Sequence, residues 1–220
     1  MKKIPVLLMA FTILSMKPAK KIKIIFFGDS ITRMGINKGG FIDRMQTALN
    51  ERKMEKKYEL IGAGVGGNKV YDLYLRMKED VIDNKPSVVV IYVGVNDVWH
   101  KTSGTGTEID KFEKFYVAII KKLKAKKIKV VVVTPLCIGE LKNKANPQDA
   151  DLNNYSEVIR KISTTYECSL SDLRELWLQY EEKKNSDNKE QGLLTTDRVH
   201  LTETGNQLVA DALMKIIDIH

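Results

Sequence analysis

The chain is 220 residues long, 43% hydrophobic and 29% charged, with a formal charge of +8. That length suits one domain with a large core, and the composition is that of an ordinary soluble globular protein. The positive excess comes from scattered lysines, densest at Lys121, Lys122, Lys124, Lys126, Lys127 and Lys129. With no aromatic residue interleaved, these read as a solvated face at a helix end and argue against nucleic-acid binding.

The opening stretch MKKIPVLLMAFTIL pairs Lys2 and Lys3 with about eleven mostly apolar positions. This is the layout of a secretory leader, and it is too short to span a bilayer as a helix. The following Ser15-Met16-Lys17-Pro18-Ala19 offers no clean cleavage site, and no Cys follows the apolar run to accept a lipid. The expectation is a leader over residues 1–20, export from a bacterial cytoplasm to the periplasm or medium, and no membrane span once the leader is removed. The alternatives are a start placed too far upstream, with a cytoplasmic protein, or an uncleaved interfacial anchor.

Residues 22–27 are a nearly continuous apolar run and read as a strand buried on both faces of a parallel sheet. Gly28, Asp29, Ser30 and Thr32 follow at its C-terminal end, where open α/β sheets place their ligand crevices. Asp29 or Ser30 is equally suited to cap the next helix. Residues 39–56 put Phe41, Ile42, Met45, Ala48 and Leu49 on one helical face, and Tyr58 to Ile61 is a second short strand. After GAGVGGN, Val70, Leu73, Tyr74, Met77 and Val81 recur at helical spacing. The strongest strand, Ser87 to Val93, ends in GVND.

A helix over 109–126 is expected to turn Phe112, Phe115, Ile119 and Leu123 inward, before a fourth strand at 128–134. Residues 139–149 are polar and read as a loop over a site mouth or across the surface. A helix from about 150 to 165, a strand near 167–170, a helix over 172–184 and a final helix capped by Thr202 complete the chain. Five strands alternating with helices imply a flavodoxin-like, three-layer α/β/α sandwich around a mostly parallel sheet. Cys137 and Cys168, the only cysteines, could pair in an oxidising compartment, though two buried free thiols fit their isolation better.

Two blocks carry chemistry beyond the first strand. Asp197 and His200 stand three apart before the last helix, so the carboxylate can accept an imidazole N–H and fix its tautomer. Of the other two histidines, His220 is terminal and His100 follows Trp99 with no matching acid. Gly62-Ala63-Gly64-Val65-Gly66-Gly67 satisfies the dinucleotide pattern G-x-G-x-x-G, yet it follows the second strand and not the first. Backbone N–H groups there can equally serve an oxyanion.

The blocks GDSIT, GAGVGGN, GVND and TTDRVHLTETG together resemble the SGNH hydrolases, the GDSL-type esterases, from about Lys21 to His220. The resemblance implies Ser30 as nucleophile, Asn96 as the block-three asparagine, and Asp197 and His200 as the DxxH pair. It implies Gly67 as the block-two glycine, with Gly64 competing. Ser30, Gly67 and Asn96 would then form the oxyanion hole. Arg198 departs from the small residue common at its position. Residues 21–220 become one hydrolase domain that needs neither metal nor organic cofactor. The expected reaction is removal of short acyl groups, O-acetyl above all, from carbohydrate or small esters. A lysophospholipase or thioesterase is the alternative enzyme; a nucleotide-binding or silent carbohydrate-binding protein is the alternative of another class. Asp29 and Trp99 are candidate substrate contacts, and Met34 and Ile36 candidate pocket walls beside Trp99.

Overall fold

The computed structural model describes residues 21–143 and 145–217, so the leader expected at 1–20 and the terminal His220 lie outside it. Five strands form one sheet: β1 (Ile22–Gly28), β2 (Tyr58–Gly64), β3 (Val88–Tyr92), β4 (Lys129–Val133) and β5 (Ser169–Ser171). Their order is β2-β1-β3-β4-β5 and every pairing is parallel. Ile24 to Phe27, all of β3 and Val130 to Val133 are buried. Unbroken apolar runs belong there because helices cover both faces of a parallel sheet. Edge strand β2 is only half-buried over most of its length.

Among the described residues six α-helices connect the strands, α1 (Ser30–Gly35), α2 (Phe41–Glu51), α3 (Val70–Met77), α4 (Val95–Trp99), α5 (Ile109–Ala125) and α6 (Asp149–Thr165), and two follow β5, α7 (Leu173–Lys184) and α8 (Glu203–Ile217). A π-helical turn, Lys78–Ile82, extends α3, and a 3-10 turn, His100–Ser103, extends α4. Helices α3, α5 and α6 pack in a row, while α2 packs on α8. The result is the expected three-layer sandwich. On α5 the inward set is Phe112, Tyr116, Ile119, Ile120 and Leu123. Phe115, expected inside, is half-buried and meets Tyr71 and Tyr74 edge-on instead.

Three other expectations change. Helix α2 is shorter than 39–56. Strand β2 runs three residues further, so Gly62 and Gly64 pair with Phe26 and Gly28 inside the ladder. The 139–149 segment is a loop only partly at the surface: Glu140, Asn146 and Asp149 are buried in it, while Asn143, Ala145 and Pro147 are exposed. Cys137 and Cys168 are both free. Register explains why: Cys168 precedes the start of β5, whereas Cys137 lies beyond the opposite end of the adjacent β4.

Candidate active site

The strand order changes direction between β1 and β3, since β1 leads back to β2 and β3 leads on to β4. At such a switch point the connections part and leave a crevice beyond the strand ends. Ser30 follows β1 and Asn96 follows β3, so both stand at that crevice.

Asp29 caps α1: its Oδ1 accepts from Ile31 N at 2.9 Å. Of the two capping candidates in the GDS block, Asp29 is therefore the one that caps α1. Asp29 points inward and is 1% exposed. Ser30 becomes the first helical residue, a position whose N–H has no intrahelical acceptor. Its Oγ lies 2.9 Å from His200 Nε2, although 170 residues separate the two.

His200 is held from its other side. Its Nδ1 lies 2.6 Å from Asp197 Oδ2, and its backbone N donates to Asp197 Oδ1 at 2.7 Å. With Nδ1–H donated to the carboxylate, the Nε2 lone pair faces the serine hydroxyl. Partial burial works to raise the Asp197 carboxyl, but hydrogen bonds from the His200 ring and from His200 and Val199 N–H hold it below the ordinary value. The Thr195–Leu201 bridge and a 2.7 Å bond from Thr196 N to His200 O close the loop whose tip carries the pair.

The two candidate glycines differ physically. A Cβ on Gly64 would lie 2.1 Å from Arg33 N, so this glycine admits close packing of α1 against β2. Gly67 has φ +76° with open space around it, so its backbone conformation calls for glycine. Asn96 is buried and its Nδ2 donates to Asn68 O at 3.1 Å, with no partner for its second N–H among the described residues. Trp99 is half-buried beside the His100 ring. Met34 is exposed and lines a cleft, while Ile36 lies over Gly62 of the edge strand.

The dinucleotide reading of residues 62–67 does not survive. A fingerprint glycine must make the turn after the strand, and Gly62 and Gly64 are inside it. The start of α3 is also occupied by carboxylates. Asp97 accepts from Val70 N at 3.2 and 3.3 Å, and Asp72 accepts from Lys69 N at 2.8 Å. Two acids at a helix N-terminus disfavour a pyrophosphate there.

Asp97 and Arg76 are contributors that pattern reading passed over. Asp97, fully buried, anchors α3 and with it the chain leaving Gly67. Arg76 donates from Nη2 to Gly28 O at 2.7 Å and to Ala63 O at 3.1 Å, and from Nε to Asn68 Oδ1 at 2.7 Å. It thereby ties the ends of β1 and β2 to the glycine segment. In the sequence it is one cation among many on helices, and no local pattern marks it.

A model of the GDSL-like lipase/acylhydrolase family matches residues 26–208. An acetylxylan esterase of Geobacillus stearothermophilus is 26% identical over 213 residues, covering 89% of this chain and 93% of the relative. The uncharacterized lipoprotein YqeF of Bacillus subtilis (strain 168) is 25% identical over 211 residues, covering 86% and 87%. Among solved structures, the acetyl xylan esterase AlAXEase is 56% identical with a TM-score of 0.87, covering 88% of this chain and 98% of that one.

Proposed function

The chain belongs to the GDSL-like lipase/acylhydrolase family, and on that premise we propose that it is a serine carboxylic ester hydrolase that removes O-acetyl groups from carbohydrate esters. The observation that carries the reading is the Ser30–His200–Asp197 chain of contacts at 2.9 and 2.6 Å. A serine hydroxyl is a weak nucleophile until a neighbouring base takes its proton. In this mechanism His200 Nε2 accepts that proton as Ser30 Oγ attacks the acetyl carbonyl, and Asp197 stabilises the imidazolium.

The backbone N–H groups of Ser30 and Gly67 and the Asn96 amide meet the developing oxyanion, each such donor contributing about 10²–10³ in rate. Collapse of the tetrahedral intermediate expels the sugar oxygen, which takes its proton from His200. Water then attacks the acetyl-serine by the reverse proton path and frees acetate.

The carbohydrate side of the reading draws on the two acetylxylan esterases among the relatives. A cleft of about 370 Å³, lined by Ile31, Met34, Thr196 and Leu201 among others, adds to it. Ile31 adjoins Ser30, and Thr196 and Leu201 flank the Asp197–His200 pair. Because the leaving oxygen is protonated by His200, the sugar that carries it extends to this side. Export, suggested by the leader pattern, would place the enzyme where acetylated polysaccharide is met. Among the described residues no helix is long and apolar enough to cross a membrane.

The test is hydrolysis of chromogenic esters from acetate to octanoate, beside acetylated xylo-oligosaccharide, by wild type and Ser30→Ala. The reading expects turnover that peaks at acetate, extends to the oligosaccharide and drops by at least about 10³-fold in the variant. A peak at octanoate would redirect it to lipid esters or thioesters. Wild-type rates from folded Ser30→Ala would remove the serine mechanism.

A further inference from the structure

The TPLCIGE stretch after β4 ends in Glu140, a fully buried acid with no part in the chemistry above. Its Oε2 accepts from Leu193 N at 2.8 Å, and its Oε1 accepts from Leu194 N at 2.8 Å and Thr195 N at 2.6 Å. Thr195 Oγ1 donates to the same Oε1 at 2.8 Å. Three consecutive backbone amides and one hydroxyl thus converge on a single carboxylate. No ion pair to Glu140 occurs among the described residues, so these donors are what offset the cost of burying it. Around it, Gly139 N donates to Arg198 O and Glu140 N to Glu190 O, both at 2.8 Å.

The amides that Glu140 gathers are the root of the catalytic loop. Thr195 bridges to Leu201, and Thr202 N donates to Leu194 O at 2.9 Å. Asp197 and His200 stand at the tip of the loop so closed. That tip has little apolar anchorage of its own: Thr196 and Asp197 are exposed, and Val199 is its one buried apolar side chain. Ser30 approaches from another part of the fold, the end of β1. The 2.9 Å contact between Ser30 and His200 therefore depends on where the loop root is held.

We infer that Glu140 is a positioning residue for ester hydrolysis, a polar clamp from the β4 connection that sets the Asp197–His200 loop against Ser30. This inference rests on the serine hydrolase reading. It also accounts for why a negative charge is kept in the interior at that place. Backbone N–H groups are donors only, so a carboxylate, with acceptors on both oxygens, can gather them where an amide side chain can satisfy only part of the set.

The expected consequence is kinetic. Misplacement of a catalytic group by about 1 Å costs on the order of 10²-fold. Glu140→Ala, which frees all four donors, should lower kcat by about 10²-fold with KM little changed. Glu140→Gln retains the Oε1-type acceptor and turns N–H groups on Leu193, so its loss should be smaller, about tenfold. Thr195→Val, which removes one donor, should lie between Glu140→Gln and wild type. A looser Asp197–His200 contact stabilises imidazolium less, so the acidic limb of the kcat/KM profile should move to lower pH.

The rates are measured per mole of folded enzyme on chromogenic acetate, far below each melting point. Leu123→Ala, in the α5 core, serves as a control that lowers stability without touching the loop. The graded fall in kcat and the moved limb, absent from Leu123→Ala, support the clamp. Wild-type kcat and an unmoved limb in folded Glu140→Gln and Thr195→Val overturn it, as does a loss that merely follows the unfolded fraction. Absence of Ser30-dependent turnover in wild type overturns the hydrolase reading itself and the clamp with it. If Glu140→Ala does not fold, the other two variants decide.

Discussion

The carboxyls of Asp29 and Asp97 are both pushed upward, to about 7 and about 6, chiefly by desolvation. For Asp29 the backbone N–H of Ile31 opposes this and the charge of Asp97 adds to it. An acid raised above its unfolded value of 3.8 binds its proton more tightly when folded. Its contribution to stability is thus full below about pH 4 and is lost as pH rises through about 7. Asp29→Asn keeps an oxygen for Ile31 N and removes the ionisation. Urea titrations at pH 4.5 and pH 8 should therefore show the variant gaining on wild type as pH rises, by roughly 1.4 kcal/mol for each pH unit in the window. An equal difference at both pH values would show that Asp29 does not titrate there. In the sequence, an acid before a serine suits a cap and a ligand alike, and only its burial separates the two.

At the scale of the element, three helices stop without the glycine that usually marks a C-terminus. Lys53, Lys127 and Glu167 follow α2, α5 and α6 with φ of 58°, 59° and 48°. In each, the next residue's N–H reaches back to the helix: Met54 to Leu49 O, Ile128 to Leu123 O and Cys168 to Ser163 O. These are Schellman closures built on side-chain-bearing residues. The left-handed conformation costs such a residue roughly 1–2 kcal/mol, partly offset by the greater chain entropy lost with glycine, about 0.5–1 kcal/mol. Lys127→Gly and Lys53→Gly should each raise stability by about 0.5–1 kcal/mol without changing the rate of ester hydrolysis. Thermal melts and a chromogenic assay check this, and a lower melting point would show that the lysines make compensating contacts. The same feature explains why α2 ends at Glu51, short of the expected 39–56. Apolar periodicity ends at Leu49, but no glycine or proline marks the stop, and the charged ERKMEK stretch suits a helix as well as a turn.

Over the whole molecule, the buried ion pair of Arg174 and Asp149 joins parts that the sequence keeps apart. Arg174 Nη2 donates to Asp149 Oδ1 at 2.6 Å, Nε to Asn153 Oδ1 at 2.7 Å and Nη1 to Leu136 O at 3.3 Å. Helices α6 and α7 and the connection after β4 are thereby locked around β5. Removing one partner leaves a buried charge uncompensated, so Arg174→Met should cost about 3–5 kcal/mol. Arg174→Met combined with Asp149→Leu should recover much of that loss in chemical denaturation. A double variant as weak as the sum of its singles would mean that the pair acts through its other hydrogen bonds. The pair also shows that polarity in 139–149 does not by itself mark the surface: Asp149, like Glu140 and Asn146, spends its polar groups on interior partners.

Sequence by itself determined the sheet, since buried parallel strands must be apolar on both faces and β1, β3 and β4 declare this residue by residue. It also determined the local DxxH pair, because three residues suffice to bring Asp197 and His200 together. The strand order was legible only as a class, and its switch point between β1 and β3 came from the pairing of β1 with two strands. The pairing of Ser30 with His200 is expected from the four-block resemblance but not from any local spacing, and the tertiary structure alone decided that Asp29 turns inward and that Glu140 and Arg76 bind separate segments of the chain. Most of their partners are backbone amides and carbonyls, which nearly every residue possesses, so no side-chain pattern in the sequence points to them.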